Sequence, residues 1–131
     1  MEIENYKKSS TICKNVYNFI KENVKENITV QNVLEIGNEF LQKTIKKNCS
    51  KENIVIDIAV PICISLNNCV GYENDLNKII NKTDIVNIEL GISYCGCIVI
   101  FSESFCLNDD KGVKKIKNIL NNLQKHKRRR N

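Results

Sequence analysis

The sequence has no tryptophan, one proline, five glycines and a single histidine among its 131 residues. Because 42% of the residues are hydrophobic, a wholly disordered chain is excluded, and the length indicates one domain with a modest core. No apolar run approaches the ~20 residues of a membrane-spanning helix, and the acidic, polar start is unlike a signal peptide. We therefore expect a soluble intracellular protein without a membrane partner.

The scarcity of histidine restricts the catalytic mechanisms that this sequence could support. His126 is the only histidine, and it lies in a run of cations, so catalysis with a histidine base is excluded from the body of the fold. Glu89 and Glu103 lie in predicted strands and are candidate functional carboxylates, although a solvent-facing position is the favoured interpretation of each. No Gly-x-x-x-x-Gly-Lys-[Ser/Thr] sequence occurs, and no nucleotide site of that kind is predicted.

The seven cysteines are an odd number, and without a secretory signal we expect them to be reduced. Only Cys95 and Cys97 have a suggestive spacing, because residues i and i+2 of a strand project from one face. Together with Cys63, Cys69 or Cys106 they could bind zinc. Packing as small hydrophobic side chains is the favoured alternative, and we predict no cofactor.

The net charge of +5 conceals an uneven distribution along the chain. Residues 111–131 contain nine Lys and Arg residues and no acid, whereas residues 1–110 contain eleven cations and fifteen acids. A basic end on an acidic body is typical of proteins that contact phosphate groups. The run at 125–130 also fits a nuclear import signal or a merely solvated end.

Hydrophobic periodicity predicts two helices at the start of the chain. Ser9 and Ser10 are candidate N-caps of the first helix, and Thr29 is the candidate N-cap of the second. The apolar stripe of the first helix comprises Ile12, Val16, Phe19, Ile20 and Val24. The inward face of the second helix comprises Val30, Val33, Leu34, Phe40, Leu41 and Ile45.

From Ile54 onward the apolar residues recur with a period of two, which predicts strands. Pro61 is expected to interrupt the first of them, and residues 67–77 are expected to form a loop. Further strands are predicted at 85–90, 95–101 and 102–107, broken by Gly91 and Gly96.

A last helix is predicted over residues 112–124, with Asp109 or Asp110 as its N-cap. Its apolar side comprises Val113, Ile116, Ile119, Leu120 and Leu123. The basic tail that follows is expected to be frayed or disordered. The predicted class is α+β, with two amino-terminal helices, a mainly antiparallel sheet and one carboxyl-terminal helix. Residues 1–124 form the predicted domain and residues 125–131 the tail.

Segment 61–70, PICISLNNCV, followed by 88–91, IELG, resembles the proliferation-associated (ErbB-receptor-binding) protein family. The likeness begins at Tyr6, includes 34–38, LEIGN, and reaches Phe105, so it covers most of the chain. Members of that family are inactive relatives of the type-2 methionine aminopeptidases. The resemblance implies the pita-bread fold of those enzymes, of which this sequence matches the amino-terminal half.

The aminopeptidase pocket is incomplete in this sequence. Tyr72 stands where the enzymes carry a histidine, Glu89 stands at the first metal-binding aspartate, and Ile100 stands at the second. The other ligands belong to the half of the fold that the resemblance does not cover. Because a dinuclear site needs several carboxylates and imidazoles, the resemblance implies a pseudoenzyme without metal. A residual metal hydrolase that uses Glu89 and the cysteines is the disfavoured alternative.

The family is associated with the large ribosomal subunit near the nascent-chain exit, with RNA binding, and with growth-linked control of transcription and translation. The resemblance therefore implies a non-enzymatic protein that contacts rRNA and ribosomal proteins, in the cytoplasm and also in the nucleus or nucleolus. The predicted RNA contacts are Lys114, Lys115, Lys117, Lys125, Lys127, Arg128, Arg129 and Arg130. No aromatic residue interleaves the tail cations, so base stacking is not expected. The alternatives are a protein–protein adaptor without RNA binding and a nuclear growth-regulatory factor.

Half of a pita-bread sheet would leave a strand edge with unpaired backbone groups and an apolar surface without its neighbour. Self-association of the free protein, docking on a ribosomal partner, and cover by the last helix would each hide that surface. One helix cannot pair a strand edge, so we expect the protein to depend on a partner and to self-associate when free.

Overall fold

A computed structural model of the chain describes residues 2–51, 53–69, 75–108 and 111–130. Two helices precede three strands, and a further helix follows them. Their bounds are α1 Glu2–Asn23, α2 Val30–Asn48, β1 Ile56–Leu66, β2 Ile85–Tyr94, β3 Cys97–Cys106 and α3 Lys111–Arg130. The strands form one antiparallel sheet in the order β1-β2-β3. The predicted α+β class and element order are therefore confirmed.

The core lies between one face of the sheet and the two amino-terminal helices. Alternate residues of the central strand β2 are buried on this face, as a period of two requires. They are Val86, Ile88, Leu90, Ile92 and Tyr94. The predicted stripe of α1 faces them, with Ile12, Val16 and Ile20 buried. The opposite face of the sheet, which we call the open face, carries the odd-numbered residues of β2.

Helix α1 begins at Glu2, so the prediction that Ser9 or Ser10 caps it is wrong. Ser9 is instead buried in the middle of the helix. Its hydroxyl donates to the Cys97 carbonyl at 2.7 Å and accepts from the Tyr94 N–H at 3.1 Å. A serine within a helix needs a partner for its hydroxyl, and here the end of the β2–β3 hairpin provides it. Ser9 thus joins α1 to the sheet.

Helix α2 begins where the sequence predicts. The Thr29 hydroxyl accepts a hydrogen bond from the Asn32 N–H at 3.2 Å, which is the geometry of an N-cap. The predicted inward residues of α2 are buried or half-buried, and the Phe40 ring stacks on Phe19 of α1 with centroids 4.0 Å apart. Gly37 lies where the two helices are closest, since a Cβ there would lie 2.9 Å from Ile20 Cδ1.

Strand β1 continues through Pro61, so the predicted interruption is wrong. The pairing with β2 shifts register between Ile58 and Val60 and again between Val60 and Cys63. Strand β1 pairs only with β2 among the described residues, so it is an edge strand there. Proline is tolerated at an edge or a bulge because its missing N–H is not needed by a second neighbour.

Strand β2 also continues through Gly91, where the sequence predicts a break. Gly91 pairs with Val60 of β1 and with Ile100 of β3. A Cβ at this position would lie 3.0 Å from Val60 Cβ and 3.1 Å from the Val60 backbone nitrogen. The glycine therefore allows the irregular segment of β1 to approach β2, instead of ending the strand.

Replacing Gly91 with alanine is expected to destabilise the fold by about 1 to 3 kcal/mol, because the added methyl group overlaps backbone as well as side-chain atoms of Val60. Urea unfolding followed by circular dichroism measures this change. Ser93→Ala, two residues along the same strand, is the matched control and is expected to stay within about 0.5 kcal/mol of wild type. Equal stability of the two variants would contradict the close approach.

Helix α3 continues to Arg130, so the predicted end near residue 124 and the frayed basic tail are wrong. Lys and Arg are good helix formers, and cations in the last turns interact favourably with the helix dipole. The candidate caps Asp109 and Asp110 lie outside the described residues. Ile119, Leu120 and Leu123 are 51%, 55% and 61% exposed. No helix in the described part of the chain is long and apolar enough to cross a membrane.

Candidate functional site

The basic end of the chain is helical, and its described lysine side chains are exposed. Lys114, Lys117, Lys125 and Lys127 all have exposed side chains on α3. The first three share one face by their spacing, and they span ~16 Å along the axis at the rise of an α-helix. The other four predicted RNA contacts also belong to α3, but their side chains lie outside the described residues. They are Lys115, Arg128, Arg129 and Arg130.

This arrangement is suited to a polyanion. Helix α3 contains nine cations and no acid, so no acidic side chain of its own neutralises the charge. A row of lysines on one helical face can contact successive phosphates along a nucleic-acid backbone. The apolar residues Ile119 and Leu123 lie on a different face of the helix. The helix therefore offers two chemically distinct surfaces.

Two positions that the resemblance assigns to metal ligands, 89 and 100, lie together on the open face. Glu89 of β2 pairs with Cys63 on one side and with Ser102 on the other, while Ile100 of β3 pairs with Gly91. Positions 89 and 100 are therefore diagonal neighbours on adjacent strands. The Glu89 side chain is half-buried, and Ile100 is 59% exposed. Tyr72 lies outside the described residues.

The residues at this place do not fit a dinuclear metal centre. Ile100 has no atom that can bind a cation, and the nearest cross-strand neighbours of Glu89 are a thiol and a hydroxyl. No group of three or more His, Cys, Asp or Glu residues that could hold a metal ion exists in the described ranges. Such a centre needs several carboxylates and imidazoles around two ions.

A polar network beside Glu89 was not among the residues predicted from the sequence. The Asn87 side-chain amide donates to the hydroxyls of Ser102 at 3.2 Å and Ser104 at 2.9 Å. All three residues lie on the open face, because Asn87 pairs with Ser104 and Glu89 pairs with Ser102. The signal that could have found them is the alternation of polar residues at 87 and 89 and at 102 and 104.

The prediction that Cys95 and Cys97 project from one strand face is wrong. Cys95 and Gly96 have φ values of 48° and 84°, and Tyr94 pairs with Cys97. They are thus the central residues of a two-residue type I′ hairpin turn. Cys95 is exposed at the turn, and Cys97 is buried in β3.

Burial also raises the pKa of the Cys13 thiol in α1.

Glu103 lies on the helix-covered face, opposite Ile88, with its side chain exposed at the edge of the sheet. It lies near Tyr17 of α1, a buried residue whose ring contacts Phe101 with centroids 5.1 Å apart. Burial, and after it the negative charge of Glu103, raises the pKa of Tyr17 to about 12. Lys21 lies over the same ring, 6.0 Å from its centroid.

The raised pKa of Tyr17 predicts a loss of stability in alkali. Between about pH 10 and pH 12 the unfolded chain releases the tyrosine proton while the folded chain keeps it, so the free energy of unfolding falls as pH rises. Urea unfolding at each pH measures this fall in the free energy of unfolding, and Tyr17→Phe is expected not to show it. Tyr6→Phe, at an exposed position of α1, is expected to keep the wild-type profile. Parallel profiles for wild type and Tyr17→Phe would contradict the assignment.

The sequence matches a known protein family over most of its length. The sequence profile described as metallopeptidase family M24 matches residues 4–129. Proliferation-associated protein A of Dictyostelium discoideum is 24% identical over 111 residues, which cover 82% of this chain and 29% of that protein. ErbB-3 binding protein 1 of Arabidopsis thaliana is 26% identical over 113 residues, with coverage of 82% and 29%. The resemblance to this group is thereby confirmed, and the chain spans less than a third of each relative.

The fold is shared with solved structures of the family. The X-Pro aminopeptidase of Thermotoga maritima superposes with a TM-score of 0.73 at 15% identity, over 95% of this chain and 34% of the enzyme. The predicted pita-bread topology of the amino-terminal half is therefore confirmed. A protein named as an enzyme shares this fold, while proteins named for proliferation or receptor binding match the sequence, so the fold alone does not decide the activity.

Proposed function

Since the chain belongs to metallopeptidase family M24, and since Glu89 and Ile100 cannot form the metal centre of such an enzyme, we propose that it is a non-enzymatic, RNA-binding protein that docks on the large ribosomal subunit. The observation that carries the proposal is α3, a basic helix with nine cations and no acid. A helix of this charge can bind a phosphate backbone by electrostatic attraction alone, and such contacts carry no base-sequence information.

Two further points support the ribosomal assignment. The resemblance to the proliferation-associated protein family implies an association with the large subunit. The exposed side chains of Lys125 and Lys127 are also accessible to a large polyanion without displacement of the core. Docking near the nascent-chain exit would make the protein a translation-linked regulator or a protective factor, located in the cytoplasm with the assembled subunits.

Salt-graded co-sedimentation of the purified chain with large ribosomal subunits tests this function. We expect association near 50 mM salt and a steep loss by about 200 mM, because bound counterions are released when lysines neutralise phosphates. Retention that is independent of salt would favour a protein–protein adaptor. Absence of binding at low salt would contradict the proposal.

A further inference from the structure

The outer edge of β3 exposes a row of backbone hydrogen-bonding groups. Because a two-residue turn closes the hairpin, Tyr94 and Cys97 form its first hydrogen-bonded pair. Hydrogen-bonded pairs alternate in an antiparallel ladder, so the odd-numbered residues of β3 direct their N–H and C=O groups toward β2. The even-numbered residues direct theirs outward. These are Ile98, Ile100, Ser102, Ser104 and Cys106.

The structure describes no strand beside these outward groups. In the ranges that the structure describes, β3 pairs only with β2, and no loop backbone is hydrogen-bonded to the outer side of β3. The side-chain bonds at Ser102 and Ser104 involve their hydroxyls, which leaves the peptide groups unused. An edge of this kind is a template for one more strand.

A cleft of about 790 Å³ separates this edge from α3, a size within the range of ordinary ligand sites. Strand β3 forms one wall, and the helix forms the other. The residues of α3 that line the cleft are Lys117, Leu120, Asn121 and Gln124, which lie on one helical face. The helix therefore borders the cleft without pairing the edge, since its own N–H and C=O groups are used internally.

The two sides of the cleft differ in polarity. Phe101 and Phe105 line it from the helix-covered face of β3, with Leu120 across from them on α3. Ser102 and Ser104 line it from the open face, beside Asn87. Since successive side chains of a strand point to opposite faces, a strand added here would present apolar and polar residues alternately.

The charge of α3 selects among the proteins that could provide such a strand. Lys117 lines the cleft from α3 and Glu103 lines it from β3, so the lining itself carries one charge of each sign. The helix as a whole contains nine cations and no acid. Acidic residues flanking the added strand would be attracted to this helix. A second copy of the chain would instead bring a second cationic helix beside the first, and like charges oppose that pairing.

We propose that the β3 edge binds an extended acidic segment of a partner protein, which adds as a fourth strand in the cleft between β3 and α3. Main-chain hydrogen bonds to the outward residues provide the affinity, and the alternation of apolar and polar positions provides the specificity. Lys117 belongs to both proposed surfaces, but this inference does not depend on phosphate binding, because it rests on the outward backbone groups of β3 and on the cleft beside them.

The test uses the full chain and a labelled synthetic peptide, Asp-Asp-Val-Ser-Val-Ser-Val-Asp-Asp, in a fluorescence anisotropy titration at low salt. We expect saturable binding. Ser102→Pro removes one outward N–H and is expected to weaken binding at least about tenfold, because the ladder to β2 does not use that group. Ser102→Ala keeps the N–H and is the matched control, with affinity within about twofold of wild type.

The peptide supplies a second test that needs no protein variant. The same peptide N-methylated at its central residues cannot complete the ladder, and it is expected to bind at least about tenfold more weakly. Equal binding of the N-methylated peptide, of a peptide with the same residues in scrambled order, or of one with Lys in place of Asp would overturn the proposal. Absence of binding by the unmodified peptide would also overturn it. So would a dimer in sedimentation equilibrium whose Ser102 and Ser104 amides are already protected from hydrogen exchange.

Discussion

Replacing the last four cations of α3 with glutamine is expected to flatten the salt dependence of binding to large ribosomal subunits. The four are Lys127, Arg128, Arg129 and Arg130. Each phosphate contact contributes roughly 0.7 to 0.9 to the slope of log affinity against log salt, so the slope changes by at most about 3 to 4. Between about 50 and 200 mM salt the wild type would then lose about 50- to 150-fold more affinity than the variant.

A variant with the same change in charge elsewhere separates this local effect from the net charge. Its four exposed lysines, also replaced with glutamine, are Lys14, Lys25, Lys46 and Lys47. We expect its slope to stay within one contact of the wild type. Equal slopes for the α3 variant and the wild type would mean that the end of α3 is merely solvated or is a targeting signal. Equal flattening in both variants would point to long-range attraction by net charge.

The second prediction with a large effect is that the protein does not hydrolyse peptides, even when the ligand residues are restored by substitution. We expect no hydrolysis of methionyl or X-Pro peptides by the wild type, and none by the triple variant Tyr72→His, Glu89→Asp, Ile100→Asp. A dinuclear centre needs ligands beyond those three positions, and the described residues contain no cluster that could supply them. An active aminopeptidase in the same assay should exceed both by at least about a millionfold.

Metal content gives a readout that is independent of turnover. After dialysis against manganese, both proteins are expected to retain less than one equivalent of metal, since even the three restored positions provide fewer ligands than two ions require. Turnover by the wild type that a chelator abolishes would contradict the assignment as a pseudoenzyme. Two equivalents of metal in the triple variant, with or without turnover, would show that the pocket is more complete than its residues indicate.

The helices were largely predictable because their signals are local. The Thr29 cap and the inward face of α2 follow from residues three or four positions apart, and both are confirmed. The start of α1 was not predictable in the same way. Ser9 fits an N-cap by its residue type, but its hydroxyl bonds Cys97 and Tyr94, which are distant in sequence.

The predicted strand boundaries are wrong where a glycine or a proline lies inside a strand and not at its end. Gly91 and Pro61 both fit a break locally, yet both lie inside strands whose neighbours make use of them. Gly91 is needed because Val60 approaches it within about 3 Å of where a Cβ would be, and that approach exists only once β1 and β2 pair. Gly96, by contrast, does end a strand, because its positive φ belongs to the hairpin turn.

The candidate site divides in the same way. The cations of α3 were predictable from the residues, and positions 89 and 100 are assigned to the metal site by the resemblance alone. The continuation of the helix to Arg130 was not predictable, because a run of cations fits a helix end and a disordered tail equally well. The network of Asn87 with Ser102 and Ser104 requires two strands in register, which no single segment specifies.

By itself the sequence determined the charge division of the chain, the α+β class, the buried stripes of the helices and the family to which the residues belong. These properties depend on composition and on short periodic patterns, which need no distant partner. Only the tertiary structure decided which backbone groups of β3 face outward, which wall α3 forms beside them and which face of the sheet stays open. Those features depend on the turn at Cys95 and Gly96 and on strand register, where a shift of one residue would exchange the two faces.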